Sequence, residues 1–353
     1  MNTCVASLGE SLVIKNGCLV KFDSSKNKNQ IIKLPESITA IGDNAFENCS
    51  GIEEISLPNT VKEIGNFAFK GCSDLKIVAI PEGILRIGRG IFSNCSKIGS
   101  FTYSNKFISY SFMNGFEIQN NSVTFFDTSV NNEVNLYIPE GIFSIGELAF
   151  ENCNKIIVIT LPQSITTLEN QAFANCTSLC IIDIPVSVTN FGRGVFSGCT
   201  SLMPVKISNR LTSYYFVNGL EIHDRCLTYF DNKINKGTRI AIPQGVTAIG
   251  QFAFKNCSNI VNISFQGNIK LIEQGAFEGT SITNMTIPEG IMSVERNTFS
   301  NCTCLEQLNI PSSIKYIDKD AFNNCPKLNN NIQKGNFNIQ DSNVETYFEL
   351  LPL

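Results

Sequence analysis

The chain is poor in the side chains that do most enzymatic chemistry and long-range attraction. It has one histidine, and only 16% of its 353 residues are charged. No run of Lys or Arg exceeds two residues and the formal net charge is −4, so no basic field draws in phosphate backbones. That argues against nucleic acid as a partner. No apolar stretch reaches the roughly 18 residues needed to span a bilayer, which argues against direct membrane insertion. The N terminus, MNTCVASLGESLVIKNG, lacks the basic start and apolar run of a secretory signal. G-x-S-x-G, H-E-x-x-H, P-loop and dinucleotide fingerprints are all missing, and no cofactor or metal is expected. The lone histidine, His223, occupies a position held by Gln119 and Lys15 in earlier copies of the same segment. A place that accepts His, Gln and Lys reads as a solvent-facing strand residue, not a general base.

What the chain does have is repetition. An Ala-Phe or equivalent pair places Phe46, Phe69, Phe92, Phe150, Phe173, Phe196, Phe254, Phe277, Phe299 and Phe322 at gaps of 23, 23, 58, 23, 23, 58, 23, 22 and 23 residues. A unit of about 23 residues therefore lies inside a period of 104. In IEEISLPNTVKEIGNFAFKGCSD (Ile52 to Asp74), Ile55 and Leu57 alternate with Glu54 and Ser56 as a half-buried strand requires. Pro58 ends that strand, Val61 and Ile64 return to the same core, and Gly65 turns the chain where a Cβ would clash. One such unit cannot bury its own apolar edge, so the units must stack. Each long gap contains an alternating pair of segments around a turn, NGFEIQNNSVTFFD (Asn114 to Asp127) and NGLEIHDRCLTYFD (Asn218 to Asp231), read as β-hairpin insertions. The chain opens with a third copy at Leu12 to Asp23.

The expected architecture is a single continuous solenoid over residues 1–333, with modules of about 12–103, 112–207 and 216–333. Residues 334–353 are expected to form a C-terminal cap or to begin a fourth hairpin, since NFNIQDSNVETYFE (Asn336 to Glu349) repeats the hairpin pattern. LPESITAIGDNAFENCSGIEEISLP and its copies resemble the BspA-type leucine-rich repeat, and NGCLVKFD followed by IIKLPES resembles a module start of that family. The resemblance covers roughly residues 12–333. It implies a right-handed leucine-rich-repeat coil with one parallel β-sheet on its concave face, and proteins secreted by or attached to host-associated microbes. Adhesion to host proteins or other cells is the role it suggests.

Nine of the 14 cysteines fall at one repeat position, Cys49, Cys72, Cys95, Cys153, Cys176, Cys199, Cys257, Cys302 and Cys325. Stacked coils project such thiols in parallel, which does not converge on a metal ion. Neighbouring rungs are close enough for a disulfide, but parallel direction and an odd count disfavour it. Thr280 takes the same place in one coil, so the expectation is a small buried filler. An exposed, reactive thiol is expected only among Cys4, Cys18, Cys180, Cys226 and Cys304. The N-C-S and N-C-T sequons at Asn48, Asn94, Asn175, Asn256 and Asn301 read as by-products of a turn that wants Asn.

A protein ligand is expected on the outward strand positions of the concave face. The candidates are Ile77, Tyr137, Val158, Thr160, Ile181 and Asp183, an apolar and aromatic stretch with polar neighbours. β-Branched residues at these places equally suit a strand. The aromatic insertions, with Phe112, Phe116, Tyr215 and Phe216, are a second candidate surface, although sealing the solenoid is the favoured reading. An intracellular scaffold is the runner-up function. An enzyme acting on glycans would need two facing carboxylates about 5–10 Å apart, and Glu54 and Asp183 are separated by several coils.

Overall fold

The computed structural model describes residues 8–27, 30–208, 212–328 and 332–334. They fall into two compact units, Met1–Leu179 and Cys180–Leu353, each with right-handed β-solenoid coils. In the first unit the strands Ile31–Lys33, Glu54–Ser56 and Ile77–Ala79 pair in parallel, with Ile31 opposite Glu54 and Glu54 opposite Ile77. Their central residues Ile32, Ile55 and Val78 point inward and are buried, as alternation requires. The return leg of each coil adds a two-residue strand, Ala40–Ile41, Glu63–Ile64 and Arg86–Ile87, and these form a second parallel ladder.

Phenylalanines stack through the interior. The centroids of Phe22, Phe46, Phe69 and Phe92 are 5.0, 5.4 and 5.9 Å apart in succession. Phe126, Phe150 and Phe173 continue at 5.2 Å. In the second unit Phe230, Phe254, Phe277, Phe299 and Phe322 are spaced at 5.1 to 5.6 Å. Each fully buried ring stabilises by roughly 1.5–3 kcal/mol before entropy. Phe22, Phe126 and Phe230, absent from the 23-residue series, are therefore the first rungs of their ladders.

Two conformational demands shape the turns on either side of each ring. The residue before the repeat cysteine is left-handed, with φ of 58° at Asn48, 72° at Gly71 and 57° at Asn94, a state that Asn and Gly tolerate best. Gly65 packs so closely on the preceding coil that a Cβ would lie 2.5 Å from the Asp43 nitrogen.

The long gaps hold more than hairpins. In the first unit Phe101–Ser104, Ser109–Met113, Phe116–Gln119 and Ser122–Phe126 form a four-stranded antiparallel meander. Ser122–Phe126 then pairs in parallel with the next return strand, Ser144–Ile145. Val205–Ser208, Ser213–Val217, Leu220–His223 and Cys226–Phe230 repeat the arrangement in the second unit. The concave strands are thus not one sheet: they fall into separate short parallel sheets. The tight turns inside the meanders have both central residues left-handed, as at Asn120 and Asn121 with φ of 49° and 63°. Such turns match the twist of a two-residue hairpin. The aromatic side chains of the meanders seal the core, since Phe112 and Phe216 are buried against Phe92 and Phe196. The tail pattern at 336–349 lies outside the described residues.

Candidate functional site

The outward side chains of the short concave sheets form the broadest surface available to a partner. Tyr137, in the strand Asn135–Tyr137, is 70% exposed. It lies in register with Thr160, and Asn135 with Val158, while Leu136 and Ile159 between them face the core. Val158 and Thr160 are half-buried. Ile77 is exposed in the earlier sheet beside Glu54, in the same row as Ile31, which is 63% exposed. Ile181 and Asp183 are exposed on Ile181–Asp183 of the second unit. The six candidates are therefore on the outer face of their strands. Within the first unit only Tyr137, Val158 and Thr160 share a sheet, because the meander divides them from Ile77. Several charged groups nearby are spent on neighbours one coil away: Lys70 pairs with Glu47, Lys76 with Glu53 and Lys97 with Asp74. Exposed pairs of this kind add at most about 1 kcal/mol each.

Chemistry is concentrated elsewhere, in buried carboxylates that the repeat pattern concealed. Along regular coils the turn N–H groups donate to the next coil: Phe67 to the Arg89 carbonyl, Phe69 to Ile91 and Gly71 to Ser93. The coil of Phe92 has no such successor. Its Ile91 N–H donates instead to Glu117 Oε2 at 3.1 Å, and its Asn94 N–H to Asp127 Oδ2 at 2.7 Å. Tyr110 Oη and Thr124 Oγ1 also donate to Glu117, at 3.1 and 3.0 Å. Glu221 accepts from the Gly194 and Val195 N–H groups, both at 3.1 Å, and Asp231 accepts from Gly198. Glu117 and Glu221 are completely buried. Burial pushes both carboxyls up to about 7, against the pull of their donors. They finish the coil and offer no exposed reactive edge. A signal was present in the sequence: Glu stands at equivalent places 104 residues apart, each time between two large apolar residues, Phe116 and Ile118 or Leu220 and Ile222.

The thiols do more than fill. Cys72 Sγ donates to the Phe46 carbonyl at 3.1 Å, Cys95 to Phe69 at 3.0 Å and Cys302 to Phe277 at 3.1 Å, each one coil back. Thr280 keeps a donor at this position, to its own Phe277 carbonyl at 2.9 Å. Burial pushes the Cys257 thiol up to about 12, which suppresses thiolate chemistry. Cys18, Cys180, Cys226 and Cys304 are half-buried, and Cys4 lies outside the described residues. His223 is a correction to the solvent-facing expectation. It is half-buried, with Nε2 2.8 Å from Thr212 Oγ1 and 3.2 Å from Asp224 Oδ2 and with the Phe191 ring 5.8 Å from its own. Among the described residues no cluster of three or more His, Cys, Asp or Glu is placed to hold a metal ion, and no helix is long and apolar enough to cross a membrane.

A family profile described as the BspA type leucine rich repeat region, six copies long, matches residues 20–132, 117–224 and 221–345. The chain belongs to the BspA-type leucine-rich repeat family. No curated protein matches it. Solved structures of similar fold include a leucine rich cell surface protein from Faecalibacterium prausnitzii, 24% identical, covering 96% of this chain and 88% of that one with a TM-score of 0.41. A leucine-rich repeat protein from Bacteroides ovatus is also 24% identical, over 88% of each chain, with a TM-score of 0.43. A third, from Eubacterium ventriosum, is 16% identical over 90% of this chain and 77% of that one, with a TM-score of 0.38. In this BspA-type chain the family's repeat accounts for the coils, and the buried carboxylates account for how a run of coils ends.

Proposed function

We propose that this BspA-type chain is a non-enzymatic, surface-associated protein that binds other proteins, acting in adhesion or cell interaction. The observation that carries the reading is the exposed aromatic and apolar row on the concave sheets, with Tyr137 70% exposed above half-buried Val158 and Thr160. An amphipathic aromatic ring on a rigid strand anchors a protein contact at low entropic cost. Ile77 adds an exposed apolar side chain on another strand of the first unit, and Ile181 and Asp183 are the candidates on the second unit taken by itself. The partner is a protein displayed on a host or neighbouring cell.

The test is binding of the purified chain to intact epithelial and bacterial cells by flow cytometry, alongside the double variant Tyr137→Ser, Val158→Ser. Tenfold or greater loss of binding with an unchanged thermal unfolding midpoint is expected. Undiminished binding removes the concave surface from the interaction. The second reading, an intracellular scaffold, is favoured by the free thiols of Cys49, Cys72, Cys95, Cys257 and Cys302. Binding confined to cytosolic proteins, with none to intact cells, would decide for it.

A further inference from the structure

The two meanders share a device that regular coils lack. Each places a fully buried glutamate between the last coil of one run and the strands that begin the next. The contacts of Glu117 are neutral donors: the backbone of Ile91, Tyr110 from the strand before it, Thr124 from the strand after it and Gln119 Nε2 at 3.4 Å on its own strand. The nearby cation is engaged elsewhere. Arg89 donates to the carbonyls of Glu147 and Leu148 and pairs with Glu151 at 3.3 Å. At Glu221 the corresponding Arg193 donates to the Phe252 carbonyl and lies 5.3 Å from the Tyr229 ring centroid, and it feels the Glu221 charge from there. Tyr110, the donor to Glu117, also lies near the buried Cys95 thiol, and the partners Gln119 and Thr124 line a cleft of about 600 Å³ together with Glu147 and Glu169. Around Glu221 the remaining titratable groups are Tyr214, Tyr229, Asp231, His223 on its own strand and the Cys199 thiol.

A buried anion whose hydrogen-bond donors are neutral groups is costly, so closing the meander over the carboxylate favours its neutral form. A place for the proton is built in. Thr124 Oγ1 lies 3.0 Å from the Glu117 carboxylate and 3.4 Å from its backbone carbonyl, so the hydroxyl can donate to the carbonyl and accept from the acid. Thr228 stands between the same two atoms of Glu221, at 3.2 and 3.3 Å.

We propose that Glu117 and Glu221 make the two meanders proton-locked seams in the solenoid: uptake of one proton at each carboxyl tightens the seam, and its loss at neutral pH loosens it. The sign follows from linkage. Each carboxyl binds its proton more tightly closed, at about 7, than in an opened, hydrated seam, at the ordinary 4.5. Closure is therefore most favoured in mild acid and loses ground as pH rises through 7. Between about pH 7.5 and 5 the opening equilibrium at each seam should fall about 50-fold.

Amide hydrogen exchange followed by mass spectrometry on the full chain tests this, after correction for intrinsic exchange rates. Peptides carrying Ile91 and Val195 should gain about 50-fold protection between pH 7.5 and 5, while peptides carrying Phe46 and Phe277 should gain far less. Glu117→Gln should flatten the pH response at Ile91 alone, and Glu221→Gln at Val195 alone. Equal slopes for seam and coil amides in the unaltered protein, or seams that open on acidification, would overturn the proposal even if neither variant folds. So would retention of the slope in either variant.

Discussion

The opening hairpin and the first insertion follow one sequence pattern, 104 residues apart, and they differ where their surroundings differ. Leu12–Lys15 and Cys18–Phe22 form the antiparallel pair that Phe116–Gln119 and Ser122–Phe126 form later, with a register shift at the same place. Both deliver a phenylalanine to the ladder, and Phe22 and Phe126 each donate their N–H to the alanine carbonyl of the next coil. Yet Val13 and Val20 of the first copy, both exposed, stand where the second has buried Glu117 and half-buried Thr124. Local sequence fixes the strand pair, its turn and its bulge. The glutamate answers a different need: it satisfies the amides of a preceding coil that ends without a successor, and among the described residues only the insertions face such a coil.

That contrast breaks most visibly at what the two copies share. Phe126→Ala should cost about 3–5 kcal/mol and Phe22→Ala the lower part of that range, because both begin a ladder but Phe126 packs on the Phe116 ring as well as on the next rung, Phe150, whereas Phe22 stacks on its next rung, Phe46. Urea unfolding of the two variants checks the ranking; indistinguishable costs would mean that the inserted strands add nothing to the ladder.

A smaller effect isolates the coil-ending role. Asp127→Ala removes the acceptor of the Asn94 N–H as well as local bonds to Ser129, and should cost about 1–3 kcal/mol. Asp23 accepts only within its own turn, from the N–H and hydroxyl of Ser25, so Asp23→Ala should cost about 0.5–1 kcal/mol. Similar costs in thermal unfolding would deny the carboxylate its capping role. The smallest change is the most diagnostic. Val13→Glu writes the insertion's residue into the opening hairpin, where the side chain is 44% exposed, and stability should move by less than about 0.5 kcal/mol. A large loss would show that position to be enclosed.

Periodicity made the coils legible, because a missing Cβ at Gly65, a ring at Phe69 and a small donor at Cys72 recur wherever a coil stacks on another. The outward candidates could be placed on the exposed face for the same reason, since strand alternation decides direction. What a period cannot disclose is how it is interrupted. The extra two strands of each meander arise because the strand at Phe101–Ser104 has no following coil, so it turns back through Asn105, whose Oδ1 accepts from the Phe107 and Ile108 N–H groups. Glu117 and Glu221 were hidden by strand alternation itself, which assigns charged residues to solvent unless their backbone partners are known. At His223, interchange with Gln and Lys describes what the position tolerates, while the Thr212 hydroxyl beside it is contributed from 11 residues away.

The left-handed asparagines and glycines before the repeat cysteines make each coil dependent on its neighbours, whereas the Glu–Asp pairs end that dependence with side chains. The coil of Phe92 closes on Glu117 and Asp127, and that of Phe196 on Glu221 and Asp231, so the place where stacking stops is set by these carboxylates and not by the repeat itself.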